Sequence, residues 1–239
     1  MTTHYPFDVR TRRLILVLPI FFIILFFLLY ANFPRLYLRV VKEDGLIEYL
    51  QALCFLSAAV IGFLTAYRLS KTPHKFKFIV ISLFSIGSLL IFGEEISWGQ
   101  RIIGFSTPET ISQINTQNEF TAHNLFFLQR HTRRAYYVIS GYACLAWLVF
   151  LLYRPHQNHI VRYVVPGWET ITLFAPIAVF YYLHYLYFNL GKIPISEQYV
   201  IWPEIRSSRH QETFESFFAA GFIVVALRNL RLARSESSV

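Results

Sequence analysis

Two carboxylates stand side by side in Gly93-Glu94-Glu95-Ile96-Ser97-Trp98-Gly99-Gln100-Arg101, directly after the apolar run Phe78 to Phe92. A second polar stretch follows a linker: Asn115-Thr116-Gln117-Asn118-Glu119-Phe120-Thr121-Ala122-His123-Asn124. Adjacent acids at the end of a membrane-length hydrophobic segment are costly unless they have partners, and such residues mark function by default. Carboxylate and imidazole are also the groups of general acid–base catalysis and of cation ligation.

Spacing narrows the chemistry. Glu94, Trp98 and Arg101 fall at intervals of four and three, so a continuing helix would put them on one face and let Glu94 pair with Arg101. Glu95 would lie about 100° further round. The pair could be structural, orienting a helix end, or Glu94 or Glu95 could be a ligand, proton carrier or general base. Glu119 and His123, four apart, would share a helical face. They could ligate one metal, form a carboxylate-oriented imidazole, or make an ordinary polar contact. The expected catalytic set is therefore Glu94, Glu95, Arg101, Glu119 and His123. Trp98, Gln100, Asn115, Gln117 and Asn124 would hold a substrate.

Further acids sit at comparable depth. Glu212 and Glu215 open the last apolar segment, where acids favour a helix N-terminus. Glu215 lies deeper, among Phe214, Phe217 and Phe218, and is the better candidate for a paired role. Glu43-Asp44-Gly45-x-x-Glu48 places Asp44 as a helix cap and Glu48 one turn in. His184 is either a satisfied core histidine or a member of the same cluster. So many like charges cannot all ionise together unless arginines offset them or a cation binds. The expected cofactor is a divalent cation held by Glu48, Glu95, Glu119, His123 and Glu215.

The elements that must position these groups are membrane helices. The 239 residues are 55% hydrophobic and 18% aromatic, with 15% charged, against about 25% charged in soluble domains. Six segments approach the ~20 residues that cross a bilayer: 14–33, 46–67, 77–97, 135–153, 168–190 and 211–228. The expected fold is an all-α polytopic membrane helix bundle of about six transmembrane helices. Residues 1–234 would form a single membrane domain and 235–239 a disordered tail. Residues 119–131, with Phe120, Phe126, Phe127 and Leu128 among polar groups, read as an interfacial or re-entrant helix on the outer side. Thr107 would cap a short helix starting at Pro108. Pro19 and Pro176 fall inside spans, where neighbouring helices can satisfy the carbonyls they free. Cys54 and Cys144 lie in apolar segments and read as packing residues.

The connections sort onto two sides. The termini, 68–76 and 154–167, with the adjoining helix ends, share one side and carry twelve Lys or Arg and three acids. The segments 34–45, 98–134 and 191–210, again with the adjoining helix ends, share the other and carry ten Lys or Arg and eleven acids. The Arg10, Arg12, Arg13 cluster before the first span places both termini in the cytoplasm. The formal charge of +8 then suits anionic lipid headgroups, and nucleic acid is not needed as a partner.

The three motifs at 43–48, 93–101 and 115–124 together resemble a widespread group of bacterial polytopic membrane proteins. That resemblance implies the bacterial inner membrane and carries no activity. A fainter similarity, in the mix of acids, Trp, Asn and His, is to metal-dependent membrane hydrolases of the alkaline ceramidase type, although their three-His set is not visible. Membrane proteases of the CAAX-processing type use Glu-Glu-x-x-x-Arg, but here Arg101 falls at a different offset. Three functions compete. The first is a metal-dependent hydrolase or transferase acting on a lipid or lipid-linked substrate. The second is a non-catalytic scaffold docking a protein partner through 98–134. The third is a cation or proton transport component.

Overall fold

The computed structural model describes residues 6–42, 45–115, 118–152, 160–190 and 210–236, without the side chains of Arg101, Gln129, Arg130, Arg133, Leu151 and residues 184–190. Among the described residues there is no strand, and the only β-type pairing is a single bridge between Asn115 and Leu125. The helices are α1 (Val9–Asn32), α2 (Pro34–Val40), α3 (Leu46–Ser70), α4 (Lys75–Glu95), α5 (Gln100–Ile103), α6 (Glu109–Ser112), α7 (Phe126–Leu145), α8 (Val149–Leu152), α9 (Val161–Val164), α10 (Ile171–Leu190) and α11 (Gln211–Glu236). Five helical stretches are long and apolar enough to cross a membrane: Val9–Asn32, Leu46–Ser70, Lys75–Glu95, Val161–Leu183 and Gln211–Glu236.

The expected fourth span, 135–153, corresponds to the later part of α7, a 3-10 turn at Ala146–Leu148, and α8. The helix begins at Phe126, ahead of the expected start at 135. The last span is also longer than its apolar core. α11 continues through Ser235 and Glu236, two residues expected in a disordered tail.

α3 packs against α4 and α11, α10 lies against α11 and α7, and α1 rests on α10. Lipid offers no hydrophobic driving force between helices, so close approach matters. Small residues allow it: Ala58, Ala59, Gly62, Thr65 and Ala66 of α3 and Ser85 and Ser88 of α4 are all buried. A Cβ on Gly62 would come within 2.3 Å of Ser85 Oγ. The centre is aromatic. Phe218 lies 5.0 Å from Phe222, 5.6 Å from Phe174 and 4.9 Å from Tyr136, centroid to centroid. Cys54 and Cys144 are free thiols packed against this cluster.

α1 starts where Asp8 accepts a hydrogen bond from the Thr11 amide at 2.7 Å, which also holds the Asp8 carboxyl below its ordinary pKa. Pro19 has no N–H to give the carbonyl four residues back. Thr172 of α10 supplies it instead, its hydroxyl donating to Ile15 O at 3.2 Å. The proline thereby becomes a docking point between two helices.

The two expected sides are realised as two ends of the bundle. At one end Lys77 and Glu236 form an ion pair of 2.8 Å with only 4% and 7% of their side chains exposed. There Arg228 donates to Arg162 O, and Arg231 donates to Pro6 O at 3.1 Å. At the other end Tyr37 OH pairs with His210 Nδ1 at 2.7 Å and Thr213 Oγ1 at 3.1 Å. Gln51, Glu94, Glu95, Glu212 and Glu215 share that end.

Candidate functional site

α4 stops at Glu95 because the backbone turns left-handed three times in succession. Ser97, Trp98 and Gly99 have φ of 48°, 52° and 81°. Glycine tolerates that region freely, whereas Ser and Trp do so only when their surroundings hold them there. What holds Trp98 is visible. Its ring folds back over Gly93, where a Cβ would lie 2.9 Å from the ring, and its indole N–H donates to Glu94 Oε1 at 2.6 Å. The continuous helix expected through Arg101 is therefore broken. Glu94 and Trp98 still meet, but through a reversal of the chain. The Arg101 side chain lies outside the described set, as does the whole of Gln117.

Glu94 Oε2 is the hub of the outer loop. It accepts the amides of Ala122 and His123 at 2.7 and 2.9 Å, and His123 Nδ1 lies 3.1 Å away. A carboxylate here only accepts, so Nδ1 carries a proton. When the imidazole is neutral, its Nε2 is then a free base held at a fixed angle. The side chain of His123 is 36% exposed and that of Glu94 20%.

The loop that presents His123 is held by amide side chains. Asn115 donates to the carbonyls of Glu119 and Thr121 at 2.8 and 3.0 Å and accepts from Glu119 N at 3.3 Å. Gln100 accepts from Phe120 N at 2.7 Å and donates to Thr107 Oγ1 at 2.8 Å. Thr107 in turn donates to Asn118 O at 2.6 Å. Glu119 Oε2 takes the Ser97 hydroxyl at 3.3 Å and the Asn124 amide at 3.5 Å.

These bonds correct three expectations. Residues 118–125 are turns and bends, not an interfacial helix, because the amides of 122 and 123 are spent on Glu94 rather than on a helical ladder. Glu119 and His123 do not share a helical face; His123 is oriented by Glu94 instead. Thr107 does not cap α6, whose N-cap is Pro108 without a side-chain bond. Asn115, Gln100 and Asn124, expected to hold substrate, are engaged in building the loop.

A second polar group faces Glu95 from the neighbouring helices. Glu215, buried in α11, accepts from Tyr181 OH and Gln211 Nε2, both at 2.7 Å, and Tyr136 stacks on Tyr181 beside it. Gln51 of α3 donates to Glu212 O at 2.9 Å and Glu212 Oε2 at 3.0 Å. Glu95 lies within electrostatic range of Glu215, Glu212 and Glu48. It accepts no hydrogen bond from any described residue.

The five residues expected to share a metal are thus divided. Glu48, Glu95 and Glu215 belong to this pocket, and Glu119 and His123 to the loop. Among the described residues no three His, Cys, Asp or Glu are arranged to hold one ion. The side chain of His184 and all of Asp44 lie outside the described residues; the N-cap of α3 is Gly45. The residues that sequence reasoning missed are Gln51, Tyr136 and Tyr181. Gln51 carried a signal, a polar amide three residues after Glu48 in an otherwise apolar span.

Fold and site together define a helical multi-pass membrane protein with most of its described acidic groups gathered at one end. The chain matches no family model, no curated protein and no solved structure.

Proposed function

We infer that this protein is a membrane-embedded hydrolase or transferase acting on a lipid or lipid-linked substrate at one face of the bilayer, with His123 as its general base. The observation that carries the reading is the Glu94–His123 pair. One carboxylate fixes the imidazole through Nδ1 at 3.1 Å and leaves Nε2 to take a proton from water or a hydroxyl. Glu94 is a positioning residue here; Glu95 lines the adjacent pocket.

The resemblance of the 93–101 and 115–124 motifs to bacterial polytopic membrane proteins supports the inner membrane as its location. The arginines of the N-terminal segment support cytoplasmic termini and an outward-facing site. A transport role is disfavoured by one feature. Phe218, one turn below Glu215, is ringed by Phe55, Phe174, Phe222 and Tyr136. That aromatic cluster packs the bundle below the acidic end, and the acids do not continue through it as a row.

The test is turnover of a bacterial lipid extract by the purified full chain, followed by mass spectrometry. His123→Gln is expected to cut turnover by about 10²–10⁴-fold while still giving a cooperative melting transition. Equal turnover by the variant, or none by either protein across lipid and lipid-linked pools, overturns the reading and favours a scaffold docking through 98–134.

A further inference from the structure

We propose that the cleft between the end of α1 and α2 holds the phosphate group of a membrane phospholipid, with Arg35 and Arg39 as its ligands. The site is independent of the enzymatic reading above.

The local sequence makes the cleft. α1 ends at Asn32, Phe33 leaves the helical region with φ of −136° and ψ of 59°, and Pro34 opens α2. Proline has no N–H to leave unpaired at a first helical position, so a new helix starts there readily. The break leaves a cleft of about 440 Å³ lined by Asn32, Phe33, Pro34, Arg35, Leu36 and Arg39.

Tyr37 decides which way α2 faces. It is 3% exposed, its hydroxyl pairs with His210 Nδ1 at 2.7 Å and Thr213 Oγ1 at 3.1 Å, and its ring meets that of Tyr30 at 5.3 Å. Each helical residue adds about 100°. Arg35 and Arg39, two positions before and two after, therefore lie on the face opposite the anchor and one turn from each other. Both are exposed, and neither forms a hydrogen bond or ion pair with a described residue. Acids do stand at this end, but Glu94 accepts from loop amides, Glu212 from Gln51 and Glu215 from Tyr181. None of the three neutralises these arginines.

Depth selects the ligand. The apolar run of α1 ends at Asn32, and Phe33 and Leu36 stay 62% and 50% exposed beside the arginines. The cleft thus sits where hydrocarbon gives way to headgroups, the level of the lipid phosphates. A guanidinium keeps its charge there, and its planar fork matches phosphate oxygens in pairs. Phe33 and Leu36 offer apolar surface to the chains of the same lipid. Asn32 donates to Leu28 O at 2.8 Å and keeps its Oδ1 to accept from a headgroup hydroxyl or ammonium.

The experiment reads lipid retention on the full chain by native mass spectrometry. One arm adds phosphatidylglycerol, another an uncharged, phosphate-free galactosyl diacylglycerol with the same chains, a third inorganic phosphate alone. Wild type is expected to retain phosphatidylglycerol in preference to the glycolipid. The Arg35→Gln, Arg39→Gln double variant should weaken that retention about tenfold or more. Arg10→Gln with Arg13→Gln, a double variant at the opposite end of the bundle, should leave it unchanged. Melting temperature checks the fold of each, and Arg39→Gln alone serves if the first double variant does not fold. Equal retention of the two lipids, or retention untouched by loss of Arg35 and Arg39, overturns the proposal. So does an equal loss from the Arg10 and Arg13 pair, which would reduce the effect to overall charge. Inorganic phosphate retained in place of the lipid overturns the phospholipid as the occupant.

Discussion

Glu94 and Glu95 are neighbours in the chain and opposites in bonding: Glu94 accepts from Trp98, Ala122 and His123, while Glu95 accepts from no described residue. One turns outward into the loop that it closes. The other turns inward toward Glu215, Glu212 and Glu48. Their roles should separate under the same substitution. Glu94→Gln leaves one amide oxygen where a carboxylate served four donors. Charge-assisted bonds contribute about 1.5–3 kcal/mol each, so a loss of roughly 2–3 kcal/mol is expected after partial exposure is allowed for. Glu95→Gln removes no hydrogen bond and keeps the side chain's size beside Glu215, Glu212 and Glu48, so stability should hold or rise. Thermal melts of the two variants in one detergent check this, and a lower melting temperature for Glu95→Gln than for Glu94→Gln would contradict it.

The reversal at Ser97–Gly99 should be sensitive to single methyl groups. Gly93→Ala drives a Cβ to 2.9 Å from the Trp98 ring and should cost about 1–3 kcal/mol by overpacking. Gly99→Ala forces φ of +81° on a side chain, for about 1–2 kcal/mol. Gly93→Ala should also loosen the clamp on Glu94. Limited proteolysis within 118–125 should then accelerate, and near-ultraviolet circular dichroism should report a freed tryptophan. An unchanged cleavage rate would mean that Trp98 does not brace the loop.

The buried pair at the far end obeys different arithmetic. Lys77 and Glu236 are each under 10% exposed, and removing one partner strands the other charge for about 3–5 kcal/mol. Lys77→Met should therefore be severe. Lys77→Met combined with Glu236→Leu should return to within about 1 kcal/mol of the parent. A double-mutant cycle on melting temperature measures it, and additive losses would refute the burial argument.

Pro19 and Thr172 should be coupled although they lie on different helices. Thr172→Val removes the donor to Ile15 O, at about 0.6–1 kcal/mol for a bond between membrane helices. In a Pro19→Ala background the restored amide can take that carbonyl, so Thr172→Val should then cost almost nothing. Equal losses in both backgrounds would show that the Ile15 carbonyl does not need α10.

Much of the architecture was legible because membrane crossing is a matter of length and apolarity, which composition along the chain displays directly. The runs at 14–33, 46–67 and 77–97 correspond to α1, α3 and α4, and the division of the connections into two sides reappears as the two ends of the bundle. The acids at one end were also readable, since Glu48, Glu94, Glu95, Glu212 and Glu215 all fall at helix termini of the same side. What periodicity could not convey was which partner each acid would take. It assumed that the helix continued past Glu95, and three left-handed residues reversed it. The sequence alone determined a bundle with carboxylates and a histidine near one surface, because hydrophobic runs and their borders are local properties. Only the tertiary structure decided that His123 answers to Glu94, that Asn115 builds a loop, and that Gln51 keeps an empty-handed oxygen beside Glu212. The Glu94–His123 and Gln51–Glu212 pairings join residues 29 and 161 positions apart, and spacing along one helix carries no information about them.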